Sequence, residues 1–165
     1  MNNIILCGFM GCGKSSVGRK LSKKSGREFV DMDRYIEEKR GMTVAEIFAE
    51  KGESGFREIE TEACRELTDR ENLIIAAGGG TLTIQENVEI LRKGGRIVFL
   101  DVSYETLCER LARDTRRPLL QVENRNEKIK ELLEKRLPLY KNAASVFING
   151  NFSSTRVAEN ILGIL

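Results

Sequence analysis

Histidine and tryptophan are both missing from this 165-residue chain, proline occurs twice, and aromatic residues make up only 6% of it. Without histidine, the nucleophile systems that pair serine or cysteine with imidazole are excluded, as is an ordinary zinc site. Acid or base chemistry therefore falls to carboxylates, lysine or water. An excess of either charge is missing too. The 27 basic and 25 acidic side chains leave a net charge of +2, which gives no reason to expect a nucleic acid or an anionic membrane as partner. No apolar run approaches the roughly 20 residues that span a bilayer. A strand pattern begins within the first few residues, with no basic segment and apolar leader before it. The four cysteines, Cys7, Cys12, Cys64 and Cys108, lack C-x-x-C spacing, so a reducing cytoplasm is the simplest setting. What is present is 41% apolar residues without repeat or linker, enough for one domain with a real core.

The most informative stretch is Gly8-Phe9-Met10-Gly11-Cys12-Gly13-Lys14-Ser15-Ser16. It follows the apolar run Ile4-Ile5-Leu6-Cys7, which reads as a short buried strand, and precedes a helical pattern with Val17 and Leu21 on one face. Gly8-x4-Gly13-Lys14-Ser15 in that strand–loop–helix setting is the phosphate-binding loop pattern. Glycines allow successive N–H groups to curl around an anion, and the helix that follows aims its unpaired amides and positive dipole end at the same place. Lys14 is expected to reach the β and γ phosphates, and the Ser15 hydroxyl to ligate Mg²⁺.

Further along, Glu28-Phe29-Val30-Asp31 reads as a second strand. If its geometry holds through Asp33, then Asp31 and Asp33 point to the same side, outside the strand ends where open α/β sheets bind ligands. Residues 33–70 read as three helical pieces: one ending near Arg40-Gly41, one opened by the capping box Thr43-x-x-Glu46 and closed at Gly52, and one starting near Ser54 with Ile59, Ala63 and Leu67 on a face. Arg57 falls in the first turn of that third piece, where the dipole disfavours a cation, which marks it as a functional candidate.

Leu73 to Ala77 is a central parallel strand in pattern, followed by Gly78-Gly79-Gly80. Those glycines fit either a close approach of backbone to ligand or a tight turn into a helix capped by Thr83-x-x-Glu86. Arg96 to Asp101 reads as the fourth strand, with a helix from Tyr104 carrying Leu107 and Leu111. Between Arg113 and Arg125 the periodicity stops. The basic run Arg113-Asp114-Thr115-Arg116-Arg117-Pro118 reads either as a mobile lid over the phosphate site or as a solvated surface loop. A helix at 126–137, a strand at 145–149 and a closing helix at 155–162 complete a three-layer α/β pattern with a parallel sheet. Periodicity alone leaves the strand order open.

Taken together, five ordered motifs resemble the shikimate kinase family along essentially the whole chain. They are the loop at Gly8–Ser15, the pair Asp31 and Asp33, Gly55-Phe56-Arg57-x-x-Glu60, Gly78 to Gly80, and Arg117-Pro118-Leu119-Leu120 with Arg136-x-Pro138-Leu139-Tyr140. The resemblance implies a P-loop kinase fold with five parallel strands in order 2-3-1-4-5, flanked by helices. It divides a single kinase domain over 1–165 into a core of about 1–31, 72–112 and 138–165, a helical substrate-binding insertion of about 32–70 and a mobile lid of about 113–125. It also implies transfer of the ATP γ-phosphoryl group to the 3-hydroxyl of shikimate, with Mg²⁺ as cofactor, in a cytoplasmic monomer.

By the same resemblance, Asp33, Lys14 and Arg117 are the catalytic candidates. ATP would be held by Gly11, Cys12, Gly13, Lys14, Ser15 and Ser16, with Arg117 and Arg113 closing from the lid and Arg113 over the adenine. Shikimate would be held by Asp33, Arg57, Gly79, Gly80 and Arg136, the guanidinium forks matching its carboxylate. Ser15 would bind the metal directly and Asp31 through water. Phe48 and Phe56 would line the substrate pocket. Two departures stand out: Ala77 occupies a position often Ser or Thr in the family, and Cys12 lies inside the loop. The rival readings are a gluconate kinase on the same fold and a non-catalytic nucleotide-binding protein. A GTPase switch is disfavoured because no N-K-x-D motif is found.

Overall fold

The computed structural model describes residues 2–165. Five strands form one parallel sheet: β1 (Asn3–Cys7), β2 (Glu28–Asp31), β3 (Leu73–Ala76), β4 (Gly95–Asp101) and β5 (Val146–Asn149). Their order is β2-β3-β1-β4-β5, the order that the resemblance implies. β1 and β3 are apolar at almost every position and wholly buried, as strands covered on both faces must be. Between and after them come α1 (Lys14–Ser25), α2 (Met32–Arg40), α3 (Val44–Thr68), α4 (Gln85–Gly94), α5 (Tyr104–Leu111), α6 (Arg125–Ala143) and α7 (Ser154–Ile164). α1 packs against α7 and α3 against α4, so helices flank the sheet.

β1 lies between β3 and β4, and the chain leaves β1 into the glycine loop and α1. The carboxyl ends of β1, β2 and β3 therefore bring the loop, Asp31 and the glycine run to one edge, the place where open parallel sheets bind ligands. Among the described residues no helix is long and apolar enough to cross a membrane.

Three local expectations change. β2 ends at Asp31 and α2 starts at Met32, so Asp33 belongs to a first helical turn and not to an extended strand end. Asp31 is itself the cap of α2, its Oδ1 accepting from Arg34 N–H at 3.2 Å. Second, Thr83 does not cap α4. It lies in a 3-10 turn, Thr81–Thr83, and its hydroxyl is spent on Gly80 O at 2.6 Å, leaving Ile84 at the cap position. Third, α6 runs through Pro138 to Ala143. Proline removes one helical hydrogen bond, but burial of Tyr140 and Ala143 anchors the last turn.

The break expected at Gly52 is present inside α3. Its φ of 70° with ψ of −178° is a conformation that glycine alone adopts readily, and it turns the chain between the Thr43-capped half and the half that carries Arg57. Both arms of the capping box form: Thr43 Oγ1 accepts from Glu46 N–H, and Glu46 Oε2 accepts from Thr43 N–H.

Candidate active site

Gly13, with φ 98°, hands the loop into α1, which opens at Lys14 with no side-chain cap. The first amides of α1 are thus left for a ligand. Lys14 Nζ folds back to donate to Gly8 O at 2.7 Å and Phe9 O at 3.4 Å, and lies 3.8 Å from Cys12 Sγ. The Cys12 side chain is buried at 2% exposure, so no open thiol faces solvent there. Ser15 Oγ donates to Asp31 Oδ2 at 3.0 Å. These two oxygens come from the first turn of α1 and the end of β2, and oxygen donors of this kind suit a hard cation such as Mg²⁺.

A cavity of about 1070 Å³ opens above this loop, lined along one wall by Gly11, Cys12, Gly13, Lys14, Ser15 and Ser16 and along another by Asp31, Asp33 and Glu37. Arg116 and Arg117 line it from the 113–125 segment, whereas Arg113 is exposed and does not. Arg110 does: it sits one turn earlier on α5, where its guanidinium donates to Gly11 O and Gly150 O, each at 3.1 Å. Arg110 lies outside the motifs read from the sequence, which place the cavity-facing arginines beyond the end of the helix. The one available signal was that the residue beside it, Leu111, faces the core. Within the segment, Arg117 is ion-paired to Asp114, which also accepts from the N–H groups of Arg116 and Arg117. These amide bonds and the two arginine charges together outweigh burial and hold the Asp114 carboxyl below the usual range.

Arg57, Gly79, Gly80 and Arg136 do not line that cavity. They form a second cluster on the far side of Asp33. A Cβ built on Gly78 would lie 3.1 Å from Asp33 Oδ1, 3.1 Å from Glu60 Oε2 and 2.9 Å from Thr81 Oγ1. Two carboxylates and a hydroxyl therefore converge on a backbone position with no room for a side chain. At the next two positions, built Cβ atoms would lie 3.2 Å from Arg136 Nη1 on Gly79 and 3.2 Å from Arg57 Nη1 on Gly80. The glycine run is thus a floor with one guanidinium over each of two residues. Phe48 and Phe56 pair at 4.6 Å between ring centroids, Phe56 buried and Phe48 41% exposed.

The electrostatics of the cluster follow from burial. Asp33 titrates above the usual carboxylate range, first because it is desolvated and second because Asp31 adds a like charge. Glu60 is also raised, mainly by burial, although the Thr81 hydroxyl donating to Oε2 at 2.6 Å opposes this. Its Oε1 is buried and has no hydrogen-bond partner among the described residues, with Arg57 Nη1 3.8 Å away. Arg57 is braced by Glu53 at 2.9 Å and by Gly80 O at 3.3 Å. The cation in the first turn after Gly52 is therefore compensated by its own helix neighbours.

A family model described as shikimate kinase matches residues 10–165. A shikimate kinase of Thermodesulfovibrio yellowstonii is 48% identical over 162 residues, covering 98% of this chain and 94% of the relative. One from Acinetobacter baumannii is 45% identical, covering 99% and 91%. The solved structure of a shikimate kinase from Acinetobacter baumannii in complex with shikimate superposes with a TM-score of 0.92 at 44% identity, covering 99% of this chain and 92% of that one. A gluconokinase from Sinorhizobium meliloti shares the fold alone, with a TM-score of 0.61 at 16% identity over 98% of this chain and 90% of that one. Sequence motifs, strand order and whole-chain similarity agree, and the chain belongs to the shikimate kinase family.

Proposed function

We propose that this protein transfers the γ-phosphoryl group of ATP to the 3-hydroxyl of shikimate, with the roles of its residues divided between the two clusters. The observation that carries the reading is the position of Asp33, which lines the phosphate cavity and also reaches the glycine floor beneath Arg57 and Arg136. A group in that place can meet both substrates.

In this reading the amides at Gly11 to Ser16 cradle the phosphates, and Lys14 leaves the Gly8 and Phe9 carbonyls to follow the γ-phosphoryl group. Ser15 and Asp31 would hold Mg²⁺, Asp31 through water, and the bound ion would neutralise charge across the β and γ oxygens. Arg117 exchanges its pairing with Asp114 for the nucleotide as the segment at about 113–125 closes as a lid and excludes water. Arg113 would come over the adenine as the lid closes, and Arg110, held on the cavity wall by Gly11 O and Gly150 O, would flank the nucleotide.

On the acceptor side, Arg57 and Arg136 grip the carboxylate of shikimate, while the Gly79 and Gly80 amides and Asp33 fix its hydroxyls. Residues of about 32–70 supply Asp33 and Arg57 and act as the substrate-binding insertion of one kinase domain. Asp33 orients the attacking hydroxyl and, with a raised affinity for protons, accepts its proton. Transfer of this kind asks chiefly for alignment and charge stabilisation, which these residues provide.

All four cysteines are free and three are buried, in keeping with a cytoplasmic enzyme. Coupled measurement of ADP release with shikimate, with gluconate and without acceptor tests the reading. Release should depend on shikimate; dependence on gluconate, or equal release without acceptor, would reject it.

A further inference from the structure

The glycine floor is held by its carbonyl groups. Gly78 O accepts from Thr81 N–H at 3.2 Å, and Gly79 O accepts from the Tyr140 hydroxyl at 2.7 Å. Gly80 O accepts from the N–H and hydroxyl of Thr83 at 3.1 and 2.6 Å and from Arg57 Nη1 at 3.3 Å, while Thr81 O accepts from Asn87 Nδ2 at 3.0 Å. The N–H groups of Gly79 and Gly80 have no partner among the described residues. The turn thus has its acceptors tied into the protein, with the Gly79 and Gly80 N–H groups among the donors left over.

Tyr140 is the tie that comes from another element. It sits on α6, is 1% exposed, and stacks on Phe99 of β4 with ring centroids 5.9 Å apart and planes 27° apart. In a trans peptide the carbonyl and the following N–H point to opposite sides. A Gly79 carbonyl drawn toward the core by Tyr140 therefore turns the Gly80 N–H away from the core, on the peptide that lies between the Arg136 and Arg57 guanidinium groups. Arg136 is one helical turn before Tyr140 on α6, so the two side chains leave the same face of that helix, and Arg136 Nη1 lies 3.2 Å from a Cβ built on Gly79. Burial pushes the phenol pKa up to about 12, so the hydroxyl remains a donor throughout the working range.

We propose that Tyr140 is a positioning residue for the acceptor, one that fixes the Gly79–Gly80 peptide beneath Arg136 so that a preset N–H donor and a guanidinium face an anionic hydroxy acid together. The proposal rests on the acceptor site described under Proposed function. The ring and the hydroxyl do separate work. Phenylalanine could provide the stack on Phe99, but only the hydroxyl reaches Gly79 O. Preorganisation of this kind lowers the ordering cost of binding, so its loss should register in acceptor affinity rather than in nucleotide affinity.

The test is Tyr140→Phe in the intact enzyme, with Phe99→Leu as the packing control. For Tyr140→Phe the KM for shikimate should rise about tenfold, while the KM for ATP and kcat stay within about twofold. Phe99→Leu should lower the melting temperature without that selective rise. An unchanged KM for shikimate, a parallel rise in both KM values, or a Tyr140→Phe protein that does not fold would each overturn the positioning role. Wild-type enzyme in the same assay keeps the two ideas apart. If it fails to phosphorylate shikimate, the acceptor assignment falls; if it turns over normally and the variant matches it, only the role of Tyr140 falls.

Discussion

Asp33 is half-buried beside Asp31, and Glu60 meets it across the backbone of Gly78. Desolvation and the Asp31 charge give folded Asp33 a tighter hold on its proton than it has in the unfolded chain. Stability therefore falls as pH rises from the ordinary carboxylate value to the raised one, and above that window the charged Asp33 is a net cost. Asp33→Asn should accordingly melt at a higher temperature than wild type at pH 7, with the difference vanishing below the ordinary carboxylate pKa. Its kcat should drop about a hundredfold or more, with the KM for ATP nearly unchanged. Thermal melts across pH and steady-state kinetics check both parts, and a variant less stable at pH 7 contradicts the electrostatics. Arg57→Lys keeps the charge and loses the fork, so the KM for shikimate should rise about tenfold, a loss of roughly 1.4 kcal/mol. At this scale the sequence marked Asp33, Arg57 and Arg136 by motif. It could not reveal the orphan Glu60 Oε1, the Tyr140 tie or Arg110, because each depends on which groups meet across distant segments.

Among the elements, α3 carries the most consequence. Its break at Gly52 orients the half that bears Arg57, Glu60 and buried Phe56, and a Cβ there would meet nothing within 4 Å. Any effect of Gly52→Ala is thus backbone strain and not a clash. It should cost about 1–3 kcal/mol of stability and raise the KM for shikimate more than that for ATP, as denaturant unfolding and kinetics would read. Local signals made this break legible, since glycine followed by a new apolar period is an element boundary. The same kind of signal misled at Pro138, where tertiary burial of Tyr140 carries α6 onward past a residue that usually ends a helix. It misled again at Thr83, whose hydroxyl had a carbonyl of the glycine floor within reach. Propensity describes a segment in isolation, and both exceptions are decided by what the segment packs against.

For the molecule as a whole, the five-stranded parallel sheet and its helices were legible from alternating apolar runs, and the strand order only through resemblance to a family. Long-range order is not encoded in periodicity, because β1 pairs with β3 and β4 through crossovers that no local pattern records. What the order accomplishes is to set the phosphate loop, Asp31 and the glycine floor side by side, and in the proposed reading a nucleotide half and an acceptor half would share Asp33. The proposal is that the ends of three strands make one two-substrate site. The most direct measurement of that claim is phosphorus NMR of the products formed by the wild-type enzyme from ATP, Mg²⁺ and shikimate. The expected products are ADP and, in equal amount, a single new phosphomonoester coupled to the ring proton at carbon 3. ADP accompanied only by inorganic phosphate, or a phosphoryl group on a different hydroxyl, would contradict it.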